Sequence, residues 1–232
     1  GYEVLGGIEV DPEKVGKKLS EIVGVKGLDA PIIHDRDAYK FLSEVKPDFA
    51  VISTGTYLDE IYTQIAKCIK AEVDIVSTSE TLAYPWYRYP ELAMLIDKAA
   101  QAAGVTVLGT GVNPGFIFDT LPAVMSSICI SVKKIVVKRS LDASKRRLAF
   151  QKKIGVGLTP DDFEKLMEER MITGHVGYAE SAFLLSSMLG VELTRVEEWQ
   201  EPLIAKKPVE AKTVSYTHLR AHETEADLVC RL

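Results

Sequence analysis

Two alternating periods constrain this chain more than any other feature. Apolar, β-branched runs at Phe49–Ser53, Val73–Ser77 and Val105–Leu108 are separated by the amphipathic stretches Tyr57–Ala71 and Pro90–Ala103. In the first stretch Leu58, Ile61, Ile65, Cys68 and Ile69 fall on one stripe, and in the second Leu92, Leu95, Ile96 and Ala99 do. Parallel strands need a long crossover between them, and crossover helices cover the sheet, so such short apolar runs read as buried parallel strands. Turn signals such as Lys46-Pro47-Asp48 and Ala103-Gly104 precede them. The pattern predicts a doubly wound α/β sheet. Cys68 on its stripe, and Cys129 further on, read as small core residues.

Beyond about residue 130 the rhythm changes. Ser131–Leu141 is a long strand pattern and Asp142-Ala143-Ser144-Lys145-Arg146-Arg147 a basic turn. Phe150–Leu158 completes a predicted strand-turn-strand ahead of helices near Pro160–Arg170 and Gly177–Leu189. A second, α+β domain is expected there.

Both ends are expected to be interrupted. The chain opens on Gly1 and runs at once into an apolar strand, Tyr2-Glu3-Val4-Leu5-Gly6-Gly7-Ile8-Glu9, so one strand is expected to precede it. At the other end, Val214–Thr224 is the translation, without a mismatch, of a transposase adapter used in short-read libraries. The end of Asp227 and Leu228–Leu232 match the constant sequence that follows the barcode. Residues 214–232 are therefore expected to be a non-native tail and carry no weight in the fold argument.

The 232 residues are 47% hydrophobic and 26% charged, with a net charge of −5. Acids and bases are mixed along the chain and its pI is near 5.5, which argues against a nucleic-acid groove or an anionic membrane surface as partner. A small-molecule partner is expected. No apolar run approaches the roughly 20 residues of a membrane span. Cys68, Cys129 and Cys230 lie far apart with no paired spacing. That suits a reducing cytoplasm and neither a disulfide framework nor a metal site.

In a doubly wound sheet ligands lie beyond the carboxyl ends of the strands, so the residues after each strand carry the chemistry. Glu9 closes the first strand, where a carboxylate can accept hydrogen bonds from a ribose, or simply neighbour a helix start. Ser53-Thr54-Gly55-Thr56 follows the next strand with residues small enough for a flat ring or a phosphate to approach, or forms an ordinary turn. Ser77-Thr78-Ser79-Glu80 follows the third, with Tyr84-Pro85-Trp86-Tyr87 beyond it. Glu80 is either a general acid/base beside aromatic walls or a solvated loop acid. Gly109-Thr110-Gly111-Val112-Asn113-Pro114-Gly115-Phe116 leaves the Asn113 amide free to bind a ligand, with glycines that let the main chain lie close.

The segments V-S-T-S-E-T-L-A-Y-P-W, G-T-G-V-N-P-G-F-I-F-D-T-L-P, F-Q-K-K-I-G-V-G-L-T and G-H-V-G-Y-A-E-S, in this order, resemble the 2,4-diaminopentanoate dehydrogenase family. That family is related to dihydrodipicolinate reductase and the native amine dehydrogenases. The resemblance covers residues 1–213. It implies a Rossmann-like doubly wound parallel sheet lacking its first strand, followed by a partial α+β substrate domain. Residues 1–128 would form an incomplete dinucleotide-binding domain and 129–213 part of a substrate and dimerisation domain, in a homodimer when intact.

The implied activity is oxidative deamination with NAD or NADP. Carried onto this chain, the resemblance makes Glu80 the acid beside the reacting amine, Asn113 a ligand of the nicotinamide end and His175 a wall of the substrate pocket. His175 precedes a predicted helix, whose N-terminus favours neutral imidazole, or else it caps that helix. Glu9, Thr54, Gly55 and Thr56 fall to the cofactor. Glu9 would repel a 2′-phosphate and leans toward NAD, while Lys14 and Lys17 oppose that lean. Arg146 or Lys152 suits a substrate carboxylate, unless the basic group with Arg147 and Lys153 is a solvated strand edge. A cyclic-imine reductase and a nonenzymatic ligand sensor are the competing readings. The basic-histidine doublet typical of the reductase is absent.

Overall fold

A computed structural model describes residues 1–140 and 142–200, together with the backbone of 226–231. It comprises two compact units, Gly1–Thr110 and Gly111–Leu232.

The first unit runs β1 (Gly7–Glu9), α1 (Leu19–Val23), β2 (Ile32–His34), α2 (Ala38–Val45), β3 (Phe49–Ile52), α3 (Leu58–Lys70), β4 (Asp74–Ser77), α4 (Pro85–Arg88), α5 (Pro90–Ala103) and β5 (Val107–Gly109). All its strand pairs are parallel: β1 with β2, and β3-β4-β5 in that order. The ladder aligns Ala50, Ile75 and Val107 in one row and Val51, Val76 and Leu108 in the next. Since the side-chain period of a strand is two, these rows face opposite sides of the sheet.

The first row joins a core built with Leu42, Leu58, Ile61, Ile65, Cys68, Ile69 and Ile96 from α2, α3 and α5. The predicted stripe of α3 is the buried one. Burial pushes the Cys68 thiol up to about 11, so it packs as an inert small hydrophobe. The second row departs from the expectation of strands buried on both sides: Val51 is 63% exposed and Leu108 50%. On the β3-β4-β5 sheet the first row is the one packed by α2, α3 and α5, and the second row is largely open, so apolar runs that read as doubly covered are covered once there.

The second unit runs α6 (Thr120–Ser126), β6 (Lys134–Arg139), α7 (Leu148–Lys153), α8 (Pro160–Glu168), α9 (Tyr178–Leu189) and β7 (Ala226–Arg231). Ile135 and Val137 of β6 pack with Phe118, Ala182 and Leu185, so its alternation places one face on the core. β7 lies antiparallel to β6, from Lys134 opposite Arg231 to Arg139 opposite Ala226. It falls within the tail read as adapter sequence. An open strand edge accepts any extended segment through main-chain hydrogen bonds, which do not depend on side-chain identity.

Two expectations are corrected here. The predicted strand-turn-strand is a strand followed by helical turns, because Asp142 accepts from the Ser144 amide to start a single 3-10 turn over Ala143–Lys145. The helix-forming run Leu-Ala-Phe-Gln-Lys-Lys then makes α7, and Gly155 at φ 73° follows it. Cys129 is exposed rather than core, because it falls in the segment after α6, outside any periodic element.

Candidate functional site

The functional side chains form one group in each unit. In the first, the loops after β3 and β4 are stitched together by alternate buried hydroxyls. Ser79 Oγ donates to the Thr56 carbonyl at 2.8 Å, and Thr81 Oγ1 reaches the same carbonyl at 3.3 Å while accepting from the Leu58 amide at 2.8 Å. Ser77, Ser79 and Thr81 are all buried, whereas Glu80 between them is only half-buried. Every second side chain thus anchors the turn inward, leaving the carboxylate on the outer side of a short 3-10 segment, Glu80–Leu82.

Gly109 makes that seat possible. A Cβ there would meet the Leu82 carbonyl oxygen at 2.2 Å and the Ala83 amide nitrogen at 2.7 Å. Both are backbone atoms that cannot swing aside. Gly109→Ala is therefore expected to lower stability by about 1–3 kcal/mol through overpacking, read as an earlier chemical-denaturation midpoint.

Thr54, Gly55 and Thr56 lie where expected, at the carboxyl end of β3, but their neighbours decide what they can hold. Glu60 Oε2 accepts from the Thr56 and Tyr57 amides at 3.0 and 3.1 Å, and Thr81 takes the Leu58 amide. Three donors at the start of α3 that could bind a phosphate, the amides of Thr56, Tyr57 and Leu58, are engaged by the protein's own side chains. Thr54 Oγ1 donates to Gln64 at 2.7 Å. Glu9 ends β1 and accepts from the amides of Val10 and Asp11, with Lys14 Nζ at 3.0 Å from its other oxygen. The Lys14 contact, then those amides, hold the Glu9 carboxyl below its ordinary range.

In the second unit the sequence-predicted pair meets directly: Asn113 Nδ2 lies 3.2 Å from His175 Nε2. His175 does not cap the following helix. Gly177 is the N-cap of α9, and His175 Nδ1 lies 3.1 Å from the Val176 carbonyl, the only role for which is as N–H donor. The ring stacks on Tyr178 with centroids 4.6 Å apart. Burial pushes the Tyr178 phenol well above its ordinary range, which keeps it neutral beside the imidazole.

The His175 backbone is clamped by a side chain. Gln200 Oε1 accepts from its amide at 2.9 Å and Gln200 Nε2 donates to its carbonyl at 3.1 Å. Gly174, at φ 55°, admits the clamp, since a Cβ would fall 1.8 Å from Gln200 Oε1. Further back, the Lys153 carbonyl accepts from the Thr173 and Gly174 amides, tying α7 to this loop.

Four residues without a local signature support the unit, three of them holding the group in place and the fourth fixing the basic turn. Asp119 and Ser181 are fully buried, with Ser181 Oγ donating to Asp119 Oδ2 at 2.8 Å and lying 3.4 Å from Asn113 Oδ1. Asp119 also accepts from the Gly115 and Thr120 amides. Gln200 forms the clamp. Gln151, also fully buried, donates to the Ser144 and Arg146 carbonyls at 2.8 and 3.0 Å and fixes the basic turn. Asp119 and Gln151 stand inside G-F-I-F-D-T and F-Q-K-K, but a polar residue in an apolar run declares its partners only after folding. Arg146 and Lys152 are exposed; the Arg146 guanidinium lies 5.3 Å from the Phe150 ring centre. Among the described residues, no cluster of His, Cys, Asp and Glu could hold a metal ion. Among the same residues no helix is long and apolar enough to cross a membrane.

Comparison with known proteins follows the second unit closely. Residues 116–219 match the 2,4-diaminopentanoate dehydrogenase C-terminal domain. A 2,4-diaminopentanoate dehydrogenase of Acetoanaerobium sticklandii is 32% identical over 164 residues, 70% of this chain and 46% of that protein. The chain is similar to the 2,4-diaminopentanoate dehydrogenases. It spans about half the length of that curated relative. An amine dehydrogenase from Mycobacterium smegmatis superposes with a TM-score of 0.79 at 22% identity, over 97% of this chain and 67% of the other. That likeness establishes a shared fold.

Proposed function

We propose that this chain carries out the nicotinamide-dependent oxidative deamination of a small diamino acid such as 2,4-diaminopentanoate, releasing an oxo acid and ammonia. The observation that carries the reading is the coincidence of the family match, residues 116–219, with the unit that joins Asn113 to His175.

Before its carbon can be oxidised, a substrate ammonium has to lose a proton, and after oxidation water must add at that carbon and ammonia leave. Both stages need a group that takes and returns protons. Glu80 is the carboxylate for this work, half-buried on a turn fixed by Ser79, Thr81 and Gly109. His175, with its Nδ1 proton committed to Val176 and Nε2 facing the Asn113 amide, orients the substrate. Asn113 keeps one amide proton and the second lone pair of Oδ1 beyond its internal contacts, enough to recognise a carboxamide.

A bound NAD or NADP supplies the two-electron acceptor. The residues fit its ribose and ring ends: Thr54–Thr56 are small, and the Glu9 carboxylate retains lone pairs for ribose hydroxyls. They do not fit its phosphates, because Glu60 and Thr81 engage the start of α3. Lys14 offsets the negative charge that would turn away a 2′-phosphate. The working form is proposed to be a cytoplasmic homodimer with a small-molecule substrate, and neither nucleic acid nor membrane as partner.

The test is a conversion assay on the full-length gene product with 2,4-diaminopentanoate and each nicotinamide cofactor, following reduced cofactor and released ammonia together. Both should appear in equal amounts. Cofactor binding without ammonia from any diamino acid or alkyl amine would assign the chain a sensing role instead.

A further inference from the structure

We propose that Asp119, acting through Ser181, is the positioning residue that sets which end of the Asn113 amide faces His175 and thereby governs the proton inventory of that imidazole. Donors and acceptors alternate along the chain Asp119, Ser181, Asn113, His175, Val176 in a way that fixes each proton.

At one end, Asp119 accepts from the amides of Gly115 and Thr120 and from Ser181 Oγ, so it serves as an acceptor-only carboxylate. The single Ser181 hydroxyl proton goes to this carboxylate at 2.8 Å rather than to Asn113 Oδ1 at 3.4 Å. At the other end, Val176 offers only a carbonyl, so His175 Nδ1 carries a proton in every state. Neutral His175 is then an acceptor at Nε2, and Asn113 must turn Nδ2 toward it. That leaves Asn113 Oδ1 facing a hydroxyl oxygen whose proton is already committed.

Protonation of Nε2 removes the mismatch. With the Asn113 amide turned by half a rotation, Oδ1 accepts from Nε2–H, Nδ2 donates to Ser181 Oγ, and Ser181 still donates to Asp119. Every link is then filled, and a buried anion stands at the far end of a chain headed by the imidazolium.

Among the described residues, the neighbouring charges make other contacts. Glu198 accepts from the Tyr178 amide, Glu180 is buried on α9, Arg139 acts on the Tyr178 phenol, and Lys153 meets the loop through its carbonyl. None of these contacts reaches the Asn113 amide. The turn of the amide also exchanges the donor and acceptor that Asn113 offers a ligand. The inference therefore deepens the proposed role of Asn113 while resting on the geometry of this unit alone.

The test uses the present chain labelled at histidine with nitrogen-15, its His175 resonances assigned through His175→Gln. Wild type should show the Nδ1–H tautomer when neutral, and the Asn113 side-chain amide signals should move with the His175 midpoint. Asp119→Asn and Ser181→Ala should each lower that midpoint by about one pH unit, tenfold in the ratio of imidazolium to imidazole. Should Asp119→Asn fail to fold, Ser181→Ala keeps the carboxylate and reads the same quantity. A wild-type midpoint in the folded variants, or Asn113 signals indifferent to His175 titration, overturns the proposal. No turnover is measured, so a chain without dehydrogenase activity leaves the result standing or falling by itself.

Discussion

Glu80→Gln in the full-length gene product is expected to lower amine turnover by roughly 10²–10⁴-fold, the usual effect of losing a general acid/base. The substitution preserves shape and hydrogen-bonding reach but cannot accept the ammonium proton. The contacts of Ser79, Thr81 and Gly109 that seat the turn are made through other atoms. Cofactor affinity should accordingly stay within a few-fold, and the loss should fall on kcat. Stopped-flow measurement of reduced cofactor separates the two. Turnover close to wild type would remove Glu80 from the chemistry and move the search to another carboxylate.

The distribution of constraint explains why this acid was visible in the sequence while its supports were not. Strand, turn and helix alternate along the first unit, so Tyr57–Ala71 and Pro90–Ala103 emerge as α3 (Leu58–Lys70) and α5 with little change of bounds. Yet α5 buries Ala93, Ile96 and Ala100 and leaves Leu95 and Ala99 of its expected stripe exposed. Glu80 follows from knowing where a parallel strand ends. The clash that requires Gly109, by contrast, is with Leu82 and Ala83, residues reached only after a whole crossover helix has returned the chain to the sheet. The same holds for Glu60, whose carboxylate turns a plausible phosphate cradle into a self-capped helix start.

In the second unit local pattern gives less. Asn113 and His175 were both legible as chemical groups, yet their contact spans 62 residues and rests on Asp119 and Ser181, neither of which has a local signature of function. Period fails at Leu148–Lys153 for a different reason. Phe150, Ile154 and Val156 alternate with polar residues as a strand would, while the capped turn before them and the helix formers among them settle the segment as a helix. The second unit is therefore where packing decides between local alternatives.

That helix changes the setting of the basic group and sharpens the remaining prediction, which concerns the substrate carboxylate. Arg146 stands between the 3-10 turn and α7, its main chain fixed by Gln151 and its guanidinium lying against Phe150. Lys152 lies in the last turn of α7, where a cation is already favoured by the helix dipole. Among the described residues neither makes an ion pair, so both charges are available to an anion. Arg146 is the better anchor, because a planar fork held against an aromatic ring can meet both oxygens of a carboxylate at small entropic cost. Losing such a charge-assisted contact costs about 1.5–3 kcal/mol. Arg146→Leu is thus expected to reduce kcat/KM for 2,4-diaminopentanoate by roughly ten- to a hundredfold while sparing or improving a simple alkyl amine. Lys152→Leu should change that ratio less. Assaying both substrates with both variants decides the matter: an unchanged preference in each places the carboxylate anchor elsewhere, and a larger change in Lys152→Leu transfers the role to the lysine.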